Sequence, residues 1–200
     1  MKCIRMIRYE CLHIYNITSM GTVSYIKNFL KDPRVASVTP TSRFTVEKVC
    51  KRIDFSNDIR ILEYGPGDGV FTRVLLDKMT PKSKIIAIET NSGFVEELES
   101  MGSDRLIVKN TSVEQVDEIV KAEKWGEVDY IISGIPFSFL EETKRHDILD
   151  KSAHLLKDEG IFLAYQTSAH LKPFLKQHFK SVRTTMEYRN IPPMCIYVAK

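Results

Sequence analysis

Ile61-Leu62-Glu63-Tyr64-Gly65-Pro66-Gly67-Asp68-Gly69-Val70-Phe71-Thr72 joins a short apolar run to the start of a helical pattern, with an acidic residue and three alternating glycines between them. Glycine lets a backbone come close to a ligand and take conformations that a side chain obstructs. With a strand before it and a helix after it, the loop reads as a nucleotide-ligand site rather than an ordinary turn. Outward from this loop the chain alternates regularly. Apolar runs fall at 59–63, 84–88, 105–109, 128–132 and 160–165, with helical patterns near 69–79, 92–101, 112–122, 140–156 and 168–179. Strands alternating with helices of this length give β-α-β units and a parallel sheet covered on both faces. The ending differs: strands at 181–188 and 194–199 are separated by a connection too short for a crossover helix, so they pair antiparallel. The predicted fold is α/β, a Rossmann-like seven-stranded sheet, mostly parallel with a C-terminal antiparallel hairpin and helices on both faces.

Composition sets the outer limits. The 200 residues are 43% hydrophobic and 28% charged, with a net charge of +3, which is a folded globular composition rather than a disordered one. That charge gives nonspecific nucleic-acid binding no support. No segment is long and apolar enough to span a bilayer. The cysteines (Cys3, Cys11, Cys50, Cys195) form no metal-binding spacing with the histidines, so no metal site is expected, and reduced thiols in a cytoplasmic protein are the reading. Charge is uneven, with a balance of +6 over residues 1–60 and −3 over the remainder. A basic N-terminal third favours an anionic partner. Residues 1–20 read as an extension outside the fold, with Met20 as an alternative start. Residues 21–57 read as a helical lid or membrane-facing segment, with helices near 23–31 and from Ser42, its N-cap, to Ile53. Residues 58–200 form the ligand-binding domain.

Candidate site residues follow from the strand ends. Glu89 closes the second strand, twenty residues after Gly69, where a carboxylate can accept both hydroxyls of a ribose. A dinucleotide site would use similar parts, but here Glu63 precedes the glycines. Beside a pyrophosphate that carboxylate would be repelled, whereas beside the ammonium and sulfonium of S-adenosylmethionine it is attracted. Tyr64, Gly65, Pro66, Gly67, Phe71 and Thr90 complete the expected set around the loop. After the third strand, Asn110 offers both an acceptor and a donor to an adenine amine, with Thr111 and Ser112 beside it. Ser112 reads equally as a helix N-cap. The fourth strand runs into Ser133-Gly134-Ile135-Pro136-Phe137.

The parallel sheet with its antiparallel ending resembles the class I S-adenosylmethionine-dependent methyltransferases, and that resemblance places the reacting atom of the substrate at Ser133–Phe137. Adenine and amino-group methylases carry an Asn-Pro-Pro-Tyr-type motif there. Gly134 stands in place of its Asn, which weakens a nucleobase reading and leaves Ser133 as the nearest polar group. Residues 24–199 resemble the bacterial and archaeal phospholipid N-methyltransferases more closely. The likeness rests on Phe29-Leu30-Lys31-Asp32-Pro33 leading to Val38-Thr39-Pro40-Thr41-Ser42-Arg43, on the glycine loop, and on Ile132-Ser133-Gly134-Ile135-Pro136. More distantly the chain is similar to rRNA adenine dimethyltransferases. The resemblance implies methyl transfer to a phospholipid amine at the inner face of a membrane. Ser133 and the Gly134 and Ile135 carbonyls would orient that amine, and Phe137 would wall the site and offer a face to the cationic product. Tyr25, Tyr165, Glu141 and His146 are further polar candidates. The basic N-terminal segment, with Lys27, Lys31, Arg34 and Arg43, would meet anionic lipid. RNA or small-molecule methylation, and a silent cofactor-binding module, are the alternatives.

Overall fold

The computed structural model describes residues 41–200. The expected helix near 23–31, Tyr25, Lys27, Lys31, Arg34 and the 1–20 extension lie outside the described residues. The first described element is α1 (Arg43–Cys50), which starts where the side chain of Ser42 accepts the Thr45 N–H. It ends three residues before the predicted Ile53, because the Arg52 and Ile53 amides bond three residues back to Val49 and Cys50, and the last turn tightens. Val46, Val49 and Cys50 are buried in one cluster with Ile61, Phe71 and Leu75, so the described half of the expected 21–57 segment is built into the core.

Seven strands follow: β1 (Arg60–Tyr64), β2 (Lys84–Glu89), β3 (Leu106–Asn110), β4 (Val128–Ser133), β5 (Leu156–Gln166), β6 (Val182–Glu187) and β7 (Met194–Ala199). Between them lie α2 (Val70–Lys78), α3 (Ser92–Glu99), α4 (Val116–Ala122), α5 (Glu142–Leu155) and α6 (Leu171–His178). The strand order is β3-β2-β1-β4-β5-β7-β6. Strands β1 to β5 pair parallel, and β7 runs antiparallel to both β5 and β6. Six strands therefore point one way and only β7 opposes them. Side chains alternate across the sheet. Ile61, Ile85, Ala87 and Ile132 face α1 and α2, while Leu62, Tyr64, Ile86 and Ile131 face α4, α5 and α6. Strand β5 starts four residues earlier than its apolar run, because Leu156 pairs with Val128 before an irregularity in the ladder. The charged Lys157-Asp158-Glu159 hides this extension in the sequence.

This order puts the switch point between β1 and β4, where successive connections leave in opposite directions. In open α/β sheets the ligand crevice lies there, at the carboxyl ends of the strands. Glu63, Glu89, Asn110 and Ser133 all stand at those ends.

Candidate functional site

The glycine loop is fixed by backbone bonds to its neighbours. The Gly65 N–H donates to the Ile88 carbonyl (2.9 Å), and the Gly134 N–H donates to the Tyr64 carbonyl (2.8 Å), so the ends of β1, β2 and β4 are tied together. Gly65 has φ +63°, and a Cβ there would lie 3.0 Å from Ile135 Cγ2. Glycine is required by conformation and by the close passage of the β4 turn. A second requirement lies at Gly134, where a Cβ would stand 2.4 Å from Tyr165 Oη and 2.9 Å from the Gly65 carbonyl oxygen. Tyr165, on β5, thus reaches across to the switch point, with its ring stacked on Phe71 at 4.5 Å between centroids. The hydroxyl occupies the space a side chain at position 134 would take.

Glu63 is buried. Its Oε2 accepts the Thr72 hydroxyl at 2.8 Å, while Oε1 has no partner among the described residues. Burial pushes its carboxyl up to about 7, and the charges of Glu89 and Asp68 act in the same direction against the Thr72 bond. Glu89 is also buried. Its Oε1 accepts the Thr90 and Asn91 N–H groups at 2.8 and 2.9 Å, and its Oε2 accepts the Gly67 N–H at 3.1 Å. One carboxylate therefore clasps the β2 turn to the glycine loop. Burial raises its pKa while the three amides hold it down. Asp68 is likewise raised by burial. The Tyr165 hydroxyl is raised well above its ordinary value, first by burial and then by Glu63 and Asp68.

Three carboxylates and a tyrosine thus converge where no described cation is enclosed. Arg73, on the exposed side of α2, donates to the Asp68 carbonyl instead. A buried acceptor with no donor costs about 1–3 kcal/mol. An entering ammonium or sulfonium would relieve that cost at Glu63 Oε1 and favour the ionised carboxylate. A Cβ at Gly67 would meet nothing within 4 Å, so the loop presents open space on that side. The residues present fit S-adenosylmethionine, and Glu63, Gly65, Gly67, Glu89 and Asn110 are those that would hold it.

The remaining expected residues divide. Asn110 lies at the same edge and donates through Nδ2 to the Glu89 carbonyl at 3.0 Å. The Thr111 N–H donates to the same carbonyl, and its hydroxyl donates to Gln115. Ser112 is an N-cap that accepts the Glu114 N–H. Pro66 closes a turn by accepting the Gly69 N–H. Ser133 is fully buried with its hydroxyl partnerless, a second orphaned polar atom at the switch point. Three expectations need correction. Tyr64 alternates to the face opposite Glu63, where its hydroxyl meets Ser152 at 3.2 Å, so only its backbone belongs to the loop. Phe137 is 1% exposed and packs edge-on to Phe162, so its ring offers no face to a product. The Ile135 carbonyl is engaged by the Phe137 N–H at 3.0 Å. Of the further candidates, Tyr165 is at the site. His146 instead bonds His178 between α5 and α6 at 2.8 Å, and Glu141 is the exposed N-cap of α5.

Thr72 is absent from the sequence-based set. Its signal is a hydroxyl on the buried stripe of α2 with Phe71 and Leu75, since a polar group there needs a buried partner.

No protein-family model matches the chain. The chain is 23% identical over 177 residues to an ornithine lipid N-methyltransferase from Singulisphaera acidiphila, covering 87% of this chain and 92% of that protein. It is 30% identical over 127 residues to a malonyl-[acyl-carrier protein] O-methyltransferase from Acetivibrio thermocellus, covering 64% of this chain but only 41% of that protein. Among solved structures, the precorrin-6y C5,15-methyltransferase of Geobacter metallireducens superposes with a TM-score of 0.64 at 15% identity, over 80% of this chain and 88% of that one. At that identity the superposition establishes a shared fold.

Proposed function

We propose that this class I S-adenosylmethionine-dependent methyltransferase methylates the amine nitrogen of a lipid headgroup. The observation that carries the acceptor is the match to an ornithine lipid N-methyltransferase along 92% of that protein's length. S-adenosylmethionine supplies an electrophilic methyl group on a sulfonium. Glu63 faces its positive charge, while Glu89 and Asn110 engage the adenosine.

The acceptor nitrogen must present a lone pair, so it enters neutral. The turn from Ser133 to Phe137 contains no titratable side chain, and we therefore assign it orientation rather than proton abstraction. The partnerless Ser133 hydroxyl supports this, because a buried polar atom at the end of β4 can accept an amine N–H. The displaced proton leaves to solvent. Among the described residues no helix is long and apolar enough to cross a membrane, so the lipid is met from one side in this reading. The basic N-terminal segment would add attraction to an anionic surface.

The test is transfer of labelled methyl from S-adenosylmethionine into lipid extract dispersed in detergent micelles, with total RNA as a parallel acceptor. Label extracted with the lipid that stays non-volatile after mild alkali, rather than leaving as methanol, is the expected result. Alkali-labile label would indicate a methyl ester on oxygen, and label confined to RNA would overturn the lipid reading.

A further inference from the structure

Three large apolar side chains stand out into solvent among the described residues: Phe139 at 71%, Tyr188 at 75% and Ile191 at 89% exposed. Their places in the fold are not scattered. Phe139 follows β4 in a single 3-10 turn, at the carboxyl edge of the sheet. Tyr188 and Ile191 lie in the β6–β7 connection. Since β6 and β5 both oppose β7, β6 runs with the parallel strands, and its connection opens at that same edge. All three tips therefore lie on the edge that holds Glu63, Glu89 and Ser133, on its β4-to-β6 flank.

The β6–β7 connection is held rigidly while it displays them. Asn190 is fully buried. Its Oδ1 accepts the Ser42 N–H at 2.8 Å and the Thr45 hydroxyl at 3.1 Å, and its Nδ2 donates to the Pro192 carbonyl at 2.9 Å. Arg189 forks onto Glu187 at 2.7 and 2.8 Å. Tyr188 and Ile191 thus bracket two pinned residues and stand exposed on either side of them. Cationic groups border them, since the Arg189 and Arg43 guanidinium groups lie over the Phe44 ring at 4.2 and 4.9 Å. A guanidinium on an aromatic face is weakly hydrated and matches phosphate oxygens with paired donors.

We infer that the β6–β7 connection and the Phe139 turn form a docking rim for an anionic lipid surface, with Ile191 and Tyr188 entering the acyl boundary and Arg43 facing phosphates. The inference rests on the lipid-acceptor reading. Three separate tips make too small and discontinuous an apolar area for a stable protein partner, which needs about 800 Å² on each side. A bilayer demands no such continuous patch. Docking by this rim sets the carboxyl edge of the sheet against the surface that carries the headgroups.

The test compares the wild-type chain with the Tyr188→Ser/Ile191→Ser double variant in flotation with vesicles of two parts phosphatidylcholine, one part phosphatidylglycerol and one part amine-containing lipid extract. The wild type floats, and the variant loses about tenfold in partition. Its transfer to vesicle lipid falls by the same factor, whereas transfer to the same lipid in detergent micelles and affinity for S-adenosylmethionine stay at wild-type levels. Ile191→Trp in a Trp125→Phe background reports insertion directly, as a blue shift of indole emission on adding vesicles. A wild type that does not float, a double variant that floats equally, or an unshifted emission from the Ile191→Trp chain would overturn the rim. Absence of lipid methylation in micelles by the wild type would instead overturn the acceptor reading, whatever the flotation shows.

Discussion

Replacing Glu63 with Gln removes a buried carboxyl while keeping an oxygen to accept from Thr72. In the folded chain this carboxyl titrates at about 7 rather than the ordinary 4.5. Between those values the native state holds a proton that the unfolded chain has released. Stability therefore falls as pH rises through this window, and the cost is complete above 7. Integrated from pH 5 to pH 8, this one group lowers the stability of the ligand-free wild type by about 2–3 kcal/mol. For a chain of this size that is a Tm lower by roughly 5–10 °C at pH 8 than at pH 5 from this source. Glu63→Gln lacks the titration, so the stability difference between variant and wild type should grow in the variant's favour by about 2–3 kcal/mol across the same range. Urea denaturation of both proteins at the two pH values measures it. Saturating S-adenosylmethionine should flatten the wild-type dependence, because a cation beside Glu63 favours the ionised form, and should stabilise the variant far less. A difference between the proteins that is independent of pH would falsify the assignment of Glu63 as the buried, partner-seeking carboxyl.

Three further outcomes are expected. Thr72→Val removes the bond that holds Glu63 down, so its titration moves above 7 and affinity for S-adenosylmethionine at neutral pH drops severalfold, recovering as pH is raised in calorimetric titrations. Gly134→Ala puts a methyl 2.4 Å from Tyr165 Oη and should cost about 1–3 kcal/mol in a chemical melt. Tyr165→Leu in the same chain should return the part due to the hydroxyl but not that due to the Gly65 carbonyl, and additive costs in the double-mutant cycle would refute the contact. Asn190→Ala strands the buried Thr45 hydroxyl and the Ser42 amide, a loss of about 2–3 kcal/mol seen as a lower urea midpoint with unchanged m; an unaltered midpoint would show that the β6–β7 connection is not pinned as described.

The fold is legible wherever the sequence repeats a period. Strand runs and helical stripes give all seven strands and their sense, because an apolar run bounded by turn residues has few alternatives in a sheet covered on both faces. The start of β5 is not legible, since the exposed Lys157-Asp158-Glu159 fall at the irregularity between the Val128–Leu156 and Tyr130–Ile161 pairs, where polarity carries no penalty. At the site, Glu63, the glycines and Glu89 are legible because charge at a strand end needs a reason. Phe137 misleads, since aromatic residues look alike in sequence whether they line a crevice or fill a core. Tyr64 illustrates the same limit: one residue along a strand reverses the face. Tyr165 comes from a strand distant in sequence, and only the sheet order brings its hydroxyl to Gly134.

The position of β7 has a consequence for how the molecule is made. β6 is translated first but sits at the outer margin, and its only neighbour in the sheet is β7. Until β7 emerges and slides between β5 and β6, the nascent chain carries an open, hydrogen-bond-hungry flank along β5, where another polypeptide could pair. Long-range closure of this kind folds slowly and exposes unpaired strands while it waits. Synthesis of this protein therefore has a vulnerable interval that lasts until β7 joins the sheet, one that chaperone depletion should lengthen.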